Sequence, residues 1–342
     1  MTERFVHDEL QTWVGTVLAE AGARQDHAEV AARFIIRTSL RGIDTHGLAR
    51  LPVFVRKLLS ADVNGRAELR LSWQSGLLMI DADRSLGHVA MYRAMCELSR
   101  RVRQYGSAMA FVRNLGHFGA SGVFALIAAE EGNVALVCTH TPPIMALPGF
   151  SGRAIGNNPL AFAFPYAAHA PIVFDMSASR VARGKIDQAV RENELSIPEG
   201  WAVGPDGRPT SDPVEALAGS VLPLAEHKGI GLAMMVQILA GSLSGAGYQP
   251  ESQGGVTGRA GAFVLVLSPD LISGREAFAA DVEAWLGHYL SRTPDGRYPG
   301  ARAHETELER LEGGIPISSA LQKELTATAA SVGVPFNLTA CP

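Results

Sequence analysis

Cysteine is scarce. The three in this chain of 342 residues, Cys96, Cys138 and Cys341, lie far apart, without the CxxC or Cys/His spacing that a disulfide framework or a zinc site requires. Reduced structural thiols and no metal are expected. Long apolar runs are missing as well: the longest apolar helical stretch, Ile230 to Leu243, is interrupted by Gln237, Gly241 and Ser242 and falls short of the ~20 residues of a membrane span. The start, Met1 to Asp8, holds no apolar block of signal-peptide length, so the expected location is cytoplasmic, with no membrane partner. An excess of positive charge is lacking too, since 30 basic residues face 34 acidic ones for a net charge of −4. Without a Lys/Arg run to meet a phosphate backbone, no nucleic-acid partner is expected. Three motifs are absent: GxGxxG after a strand, a Walker lysine and a Gly-x-Ser-x-Gly elbow. The glycine-rich stretch Gly149 to Gly156 has the wrong spacing and leads towards Asn157-Asn158-Pro159 and a strand, so a Rossmann site is not supported.

What is present is enough apolar residue, 47%, to bury a core at a length that suits two interwoven lobes. Leu10, Trp13, Val14, Val17 and Leu18 recur at helical spacing, and a second amphipathic pattern runs from Ala28 to Leu40. From Leu77 short apolar runs follow, at Leu77–Ile80, Ala108–Val112, Val134–Cys138, Leu160–Phe164 and Ile172–Phe174, as in buried strands of an α/β sheet. Helical periodicity separates them at His88–Tyr105 and Ala120–Glu130. Pro198 to Asp212 reads as turns, and Ile230–Leu243 as a core helix. A glycine-rich segment from Gly245 to Gly261, a strand at Ala262–Leu267 and helices near Arg275–Leu290 and Ser318–Ala330 complete the chain.

Four clusters carry candidate chemistry. In Arg41 to Arg50, a helix starting near Thr45 would put His46 and Arg50 on one face. An arginine fork can hold a carboxylate while a histidine protonates the carbonyl oxygen of a 2-oxo acid. The same spacing also suits a threonine cap, a surface histidine and a solvated arginine. Asn114 and His117 follow a strand end, where α/β sheets bind ligands, although a tight turn holding a structural histidine reads the same way. Asn157-Asn158, Asp175, Ser177, Ser179 and Lys185 offer amide, hydroxyl and cationic donors to a phosphate, or ordinary turn chemistry. Lys228 opposes the dipole at a helix start, which hints at an anion nearby; an exposed lysine would do the same at small cost.

In order and spacing, these segments resemble the malate/L-lactate dehydrogenase family of the non-Rossmann type over nearly the whole chain. The resemblance rests on Gly42-Ile43-Asp44-Thr45-His46-Gly47 with Arg50, Asn114 with His117-Phe118-Gly119, Gly156-Asn157-Asn158-Pro159, and Asp175-Met176-Ser177-Ala178-Ser179 with Gly184-Lys185. Ile197 to Trp201, Asp206 to Pro213 and Lys228-Gly229-Ile230-Gly231-Leu232 add to it. It implies an α/β fold of the L-sulfolactate dehydrogenase type: a mixed, non-Rossmann NAD(P)-binding sheet over 76–289, with a helical N-terminal segment, 1–75, packed with the C-terminal helices of 290–342. A homodimer is implied too, acting on a small-molecule substrate. His46 matches the acid/base histidine, His117 a second active-site histidine and Arg50 a carboxylate clamp, with Thr45 and Asn114 beside the substrate. The segment Phe174, Asp175, Met176, Ser177, Ala178, Ser179 and Arg180 matches cofactor-contacting residues, as do Asn158, Lys185, His227, Lys228, Gly300, Ala301 and Arg302.

Four positions depart from the family pattern. Thr45 replaces a serine, Gly156-Asn157-Asn158-Pro159 replaces Gly-Thr-Asn-Pro, Ala225-Glu226-His227 replaces Gly-Gly-Tyr, and Pro299-Gly300-Ala301 with Arg302 replaces Pro-Gly-Glu. A cation at Arg302 leans the cofactor from NAD towards NADP. The expected reaction is hydride transfer between NAD(P)H and a small 2-oxo or 2-hydroxy acid. The alternative is reduction of a cyclic 2-imino acid such as piperideine- or pyrroline-2-carboxylate; a further one is dinucleotide binding without turnover.

Overall fold

The computed structural model describes residues 2–341 apart from 75, 148, 149, 151, 168, 249–258, 294 and 295. The central part of the glycine-rich segment Gly245–Gly261 lies outside the described residues. In chain order the elements are β1 (Thr2–Phe5), α1 (His7–Glu20), α2 (Gln25–Leu40), α3 (Leu51–Leu59), β2 (Arg70–Gln74), β3 (Leu77–Asp81), α4 (Gly87–Tyr105), β4 (Ser107–Leu115), α5 (Gly122–Glu130), β5 (Val134–Thr139), β6 (Leu160–Phe164) and β7 (Ile172–Met176). There follow α6 (Arg183–Arg191), β8 (Ala202–Val203), β9 (Pro209–Thr210), α7 (Pro213–Ala218), β10 (Ser220–Val221), α8 (His227–Val236), β11 (Ala260–Leu267), α9 (Pro269–Ile272), α10 (Arg275–Arg292), α11 (Ala301–Gly313), β12 (Ile315–Ser318) and α12 (Ser319–Ala330).

Among the described residues the main sheet has seven strands in the order β2-β3-β4-β11-β5-β6-β7. β3 and β4 run parallel and every other neighbouring pair antiparallel, so the sheet is mixed. Alternation along the strands buries both faces. Ala110, Val112, Ala135, Val137, Ala161 and Ala163 meet α4 and α5 on one side. Met109, Phe111, Leu136, Cys138 and Phe263 meet Val236 and Ala240 on the other. The pairings Ala260–Leu115, Ala262–Thr139, Cys138–Leu160 and Leu160–Met176 bring five chain ends to one edge of the sheet. The loops that leave it carry His117, His140, Asn158 and Ser177.

A separate core joins the two ends of the chain. Phe5, Leu10, Trp13, Ile35, Leu51 and Phe54 pack with Ile315, Ile317, Leu325 and Ala329, and β1 pairs antiparallel with β12. The boundary expected at 75/76 falls between β2 and β3, which pair antiparallel within the main sheet.

Three further expectations are corrected. The Pro198–Asp212 stretch holds β8 and β9, which with β10 make a small three-stranded sheet; strands of two residues are too short to show alternation. The helix expected over Ile230–Leu243 starts earlier, at His227, and widens into a π turn over Gln237–Ser242, where Gly241 has no side chain to clash with the Gln237 amide. No single helix begins near Thr45: Asp44–His46 and Leu48–Arg50 are separate 3-10 turns. A side chain at Gly47 would run into Ser39, whose hydroxyl accepts from Leu48 N–H at 2.9 Å, so the chain kinks at this glycine.

Candidate active site

The kink at Gly47 turns His46 towards the His117 loop. The two imidazoles lie nearly parallel, at an interplanar angle of 22° and with ring centroids 6.1 Å apart. Each is held by one nitrogen. His46 Nδ1 is 2.9 Å from Thr45 Oγ1. His117 Nδ1 accepts the Gly119 N–H at 3.2 Å, which assigns the proton of neutral His117 to Nε2. The loop bearing His46 is pinned from α11: Arg310 donates to the Ser39 carbonyl at 2.5 Å and pairs with Asp44, while Glu307 pairs with Arg41.

Arg50, a carboxylate clamp by the resemblance, has two partners within the protein. Its Nε donates to the Thr45 carbonyl at 2.9 Å and its Nη2 pairs with Asp187 on α6 at 3.3 Å. One edge of the guanidinium is therefore engaged, leaving Nη1 and the outer edge for a substrate carboxylate. Gly184 is packed so closely that a methyl group there would sit 2.8 Å from Arg50 Nη2 and 3.0 Å from Thr45 Cβ, which brings α6 against the His46 loop.

The electrostatics set both histidines below the range in which an imidazole ordinarily titrates. Each is only half-exposed, and the surrounding protein penalises the imidazolium. That loss of hydration, with the Arg50 charge second, lowers His46 to about 4. It also puts His117 well below its ordinary value, with Arg50, His46, His88 and Lys57 contributing in turn. The substrate-free site therefore holds two neutral imidazoles beside a fixed cation.

Other residues singled out from the sequence have internal partners. Asn114 takes a positive φ and donates its amide to Asp81 at 2.9 Å. Asn158 is fully buried, accepting from Thr141 N–H at 2.8 Å and donating to the Ala233 carbonyl at 2.8 Å. Asp175 accepts the Gly122 N–H at the start of α5 at 2.7 Å, and enclosure raises its carboxyl to about 6 although one face stays open. Ser177 and Ser179 share a hydrogen bond at 2.9 Å, and Ser179 donates to the Val181 carbonyl at 2.6 Å.

Two of the segments expected at the cofactor pack against β7 and the loop that follows it. Leu224 N–H donates to the Ala178 carbonyl and Arg180 N–H to the Leu222 carbonyl, which seats the start of α8 against the end of β7. A methyl group on Gly229 would be 2.5 Å from the carbonyl oxygens of Ala178 and Leu224, so the two backbones touch. Val173 N–H donates to the Pro299 carbonyl at 3.0 Å, which sets Gly300, Ala301 and Arg302 beside β7 at the start of α11. Phe174, Arg180, Lys185, His227, Lys228 and Arg302 are exposed; Met176 is half-buried and Ala178 buried. Four exposed cations, Arg180, Lys185, Lys228 and Arg302, lie on these segments and form a donor set that fits a dinucleotide phosphate.

Four residues went unnoticed in the sequence. Asp187 and Lys57 bear on Arg50 and His117. His88 lies beneath the His117 loop, its ring edge-on to Phe54 with centroids 5.0 Å apart. His140 accepts the Gly261 N–H at 3.2 Å and lines a cavity of about 120 Å³ with Thr141, Ile155, Gln237 and Tyr248; this cavity is separate from the His46–His117 pair. A lone histidine in an apolar run gives no periodic signal, so only the contact with Phe54 or Gly261 exposes it. Among the described residues no group of three metal-ligating side chains forms, and no helix is long and apolar enough to cross a membrane.

A family model for malate/L-lactate dehydrogenase matches residues 5–326. The (2R)-3-sulfolactate dehydrogenase (NADP(+)) of Chromohalobacter salexigens is 34% identical over 94% of this chain and 97% of its own. The Delta(1)-pyrroline-2-carboxylate/Delta(1)-piperideine-2-carboxylate reductase of Pseudomonas putida is 33% identical over 93% and 95%. The solved sulfolactate dehydrogenase of Methanocaldococcus jannaschii superposes with a TM-score of 0.85, covering 97% of this chain and 98% of that one at 27% identity. The chain belongs to the malate/L-lactate dehydrogenase family and is an NAD(P)-dependent oxidoreductase.

Proposed function

We propose that this protein reduces a small 2-oxo acid, or oxidises the matching 2-hydroxy acid, in a cleft formed by His46, Arg50 and His117. The observation that carries the reading is the stacked histidine pair beside a cation with one free edge. When bound, the nicotinamide cofactor supplies or takes up the hydride; the chain's own groups do the rest. The outer edge of Arg50 receives the substrate carboxylate, with Asp187 and the Thr45 carbonyl fixing the plane of the fork. That carboxylate offsets the Arg50 charge and eases protonation of the neighbouring imidazoles. His46 then gives a proton to the substrate oxygen as charge develops there, and His117 Nε2–H donates a hydrogen bond to the same region. Thr45 orients His46, and Asn114 braces the His117 loop through Asp81. Lys228 and Arg302, at the first turns of α8 and α11, hold the dinucleotide phosphates through their side chains, and an arginine at 302 favours NADP over NAD. The N-terminal helices, packed with β12 and α12, form the lobe that brings His46 to the sheet domain.

A second reading is supported by the depressed basicity of both histidines: a cyclic 2-imino acid arrives already protonated on nitrogen and needs no acid from the protein. The similarity to a Delta(1)-pyrroline-2-carboxylate/Delta(1)-piperideine-2-carboxylate reductase points the same way. The protein is further proposed to be a cytoplasmic homodimer. Met234, Met235, Ile238 and Leu243 leave an exposed apolar row on α8 and the turn after it, as interface residues do; light scattering at the monomer mass would contradict this. The functional test is oxidation of NADH and NADPH, followed separately by absorbance, against a panel of 2-oxo acids and cyclic imines. Turnover of a 2-oxo acid supports the first reading, turnover of imines alone selects the second, and cofactor binding without either leaves a non-catalytic binder.

A further inference from the structure

Lys57 takes part in no step described so far. It is 6% exposed, and among the described residues its ammonium forms no hydrogen bond and no ion pair. Enclosure lowers its pKa; the Asp62 charge opposes this from beyond ion-pair distance, and Arg56 adds to it. Asp62 is itself exposed and accepts from the Ser60 hydroxyl at 3.0 Å. Lysine is almost never buried so far without a partner, because an ammonium that loses water and gains no counter-charge is destabilising. The missing counter-charge must come from outside the chain. Arg50, at the start of α3, Phe54 and Lys57 follow one another at spacings of four and three residues, so they share one stripe of the helix. Phe54 lays its ring against His117, with centroids 5.7 Å apart, which makes this stripe a wall of the cleft. Helical side chains lean towards the N-terminus, and that carries the Lys57 ammonium back past Phe54 towards Arg50. The imidazoles on either side of Phe54 record where it ends: its charge helps to hold His117 neutral, whereas enclosure alone acts on His88.

From this placement we propose that Lys57 receives a second anionic group of the substrate, so that the acid turned over carries a carboxylate or a sulfonate at the end opposite its 2-oxo acid group. The proposal rests on Arg50 being the clamp for the first carboxylate. Seven residues separate the two cations, ~10.5 Å of helix rise, and two long side chains can close on a short acid held between them. An acid with one carboxylate and an apolar tail would bury the ammonium further and leave it unpaired, whereas a dianion gives each cation its partner. A site built to pair a buried polar group rejects a ligand that lacks the partner far more strongly than shape alone can. An ammonium is a point charge with three donors, so it accepts a planar carboxylate or a tetrahedral sulfonate.

Calorimetry with NAD(P)H bound tests this without turnover. Succinate and 3-sulfopropanoate, with an anion at each end, should bind about 10- to 100-fold more tightly than butanoate, which has a similar length and one anion. The tighter of the two identifies the second anion. In Lys57→Met, which keeps the length and loses the charge, that advantage should vanish, while the affinities for butanoate and NAD(P)H stay as they were. Lys57→Arg should keep much of it, and Arg50→Lys should weaken all three acids alike. Because no internal partner is lost, the melting temperature of ligand-free Lys57→Met should be unchanged or higher. In kinetics the same substitution should abolish the preference, in kcat/KM, for 2-oxobutanedioate over 2-oxobutanoate. Equal binding of one- and two-anion acids by the native protein, equal losses for both in Lys57→Met, or a clear fall in its melting temperature would each overturn the proposal. If the two-anion acids bind through Lys57 and no 2-oxo acid is turned over, the assignment of Lys57 stands and the reading of 2-oxo acid reduction falls. If 2-oxobutanoate is turned over as well as 2-oxobutanedioate, that reading stands and the role of Lys57 falls.

Discussion

The two halves of the cleft treat polar side chains in opposite ways. On the proton-transfer side each histidine is held by one nitrogen, Nδ1 of His46 by Thr45 and Nδ1 of His117 by Gly119, and Arg50 keeps one edge free. On the cofactor side Asn158, Ser177 and Ser179 satisfy one another or the backbone. The exposed groups there include the cations Lys228 and Arg302. A polar residue in a loop thus keeps free hydrogen-bonding atoms on one side and serves as scaffold on the other. The difference is the number of hydrogen-bonding atoms left over once the fold has taken its share.

The largest test of that contrast is His46→Ala. Reduction of a 2-oxo acid should fall ~10²–10⁴-fold, the usual contribution of a positioned general acid, while fluorescence titration shows NAD(P)H binding intact. On a protonated cyclic imine the loss should be much smaller. A near-neutral His46→Ala with a dead His117→Ala would exchange the roles of the two histidines.

Arg50→Lys comes next. A lysine cannot reach the Thr45 carbonyl, Asp187 and a carboxylate from one planar fork, so kcat/KM for the acid should drop by roughly 10- to 100-fold, the value of a charged hydrogen bond. An unchanged substrate dependence would take Arg50 out of the site. On the scaffold side, Asn158→Ala should act on stability first. It strips partners from Thr141 and Ala233 in the interior, and about 1–3 kcal/mol of unfolding free energy should be lost in denaturant titrations. If instead cofactor affinity falls with stability intact, Asn158 is a contact and not scaffold.

The histidines also make stability depend on pH. In the unfolded chain they take up protons near their ordinary value of 6.5; in the folded protein His46 and His140 do so only near 4 and His88 near 3. Between these limits the unfolded state binds more protons, so their contribution is fully present above about pH 6.5 and is lost as the pH falls towards 4. The melting temperature should therefore decline across that window, less so with a 2-oxo acid analogue bound. A flat profile would mean that the imidazoles are not enclosed. The smallest effect is expected from Lys228→Gln. Removing one exposed cation near a phosphate should weaken NAD(P)H binding only several-fold, in line with the ~0.3–1 kcal/mol of an exposed charge at a helix end, with substrate KM unchanged.

Strand and helix positions were legible wherever apolar period was strong, as in β4, β5, β6 and α4, because burial on both sheet faces forces it. α11 was not: Leu308 and Leu311 are exposed and Ala301 alone is buried along it, so it has little apolar stripe, and its hold on the His46 loop comes from Glu307 and Arg310. The candidate site residues His46, Arg50 and His117 were singled out by order and spacing in a known family. What spacing could not show was the kink at Gly47, which depends on Ser39 eight residues away, or Asp187 completing the Arg50 environment from α6. The depressed imidazoles were invisible as well, since enclosure is a property of the folded cleft.

The central claim is that Arg50 and the histidines form one site for an anion and a proton. The direct measurement is calorimetry of oxalate binding at pH 7 in buffers of different ionisation enthalpy, with NAD(P)H present. The account predicts net proton uptake, because a carboxylate set against Arg50 removes part of what keeps the imidazoles neutral, and it predicts that Arg50→Lys weakens both binding and uptake. Tight binding with no proton uptake, unaffected by that substitution, would contradict it.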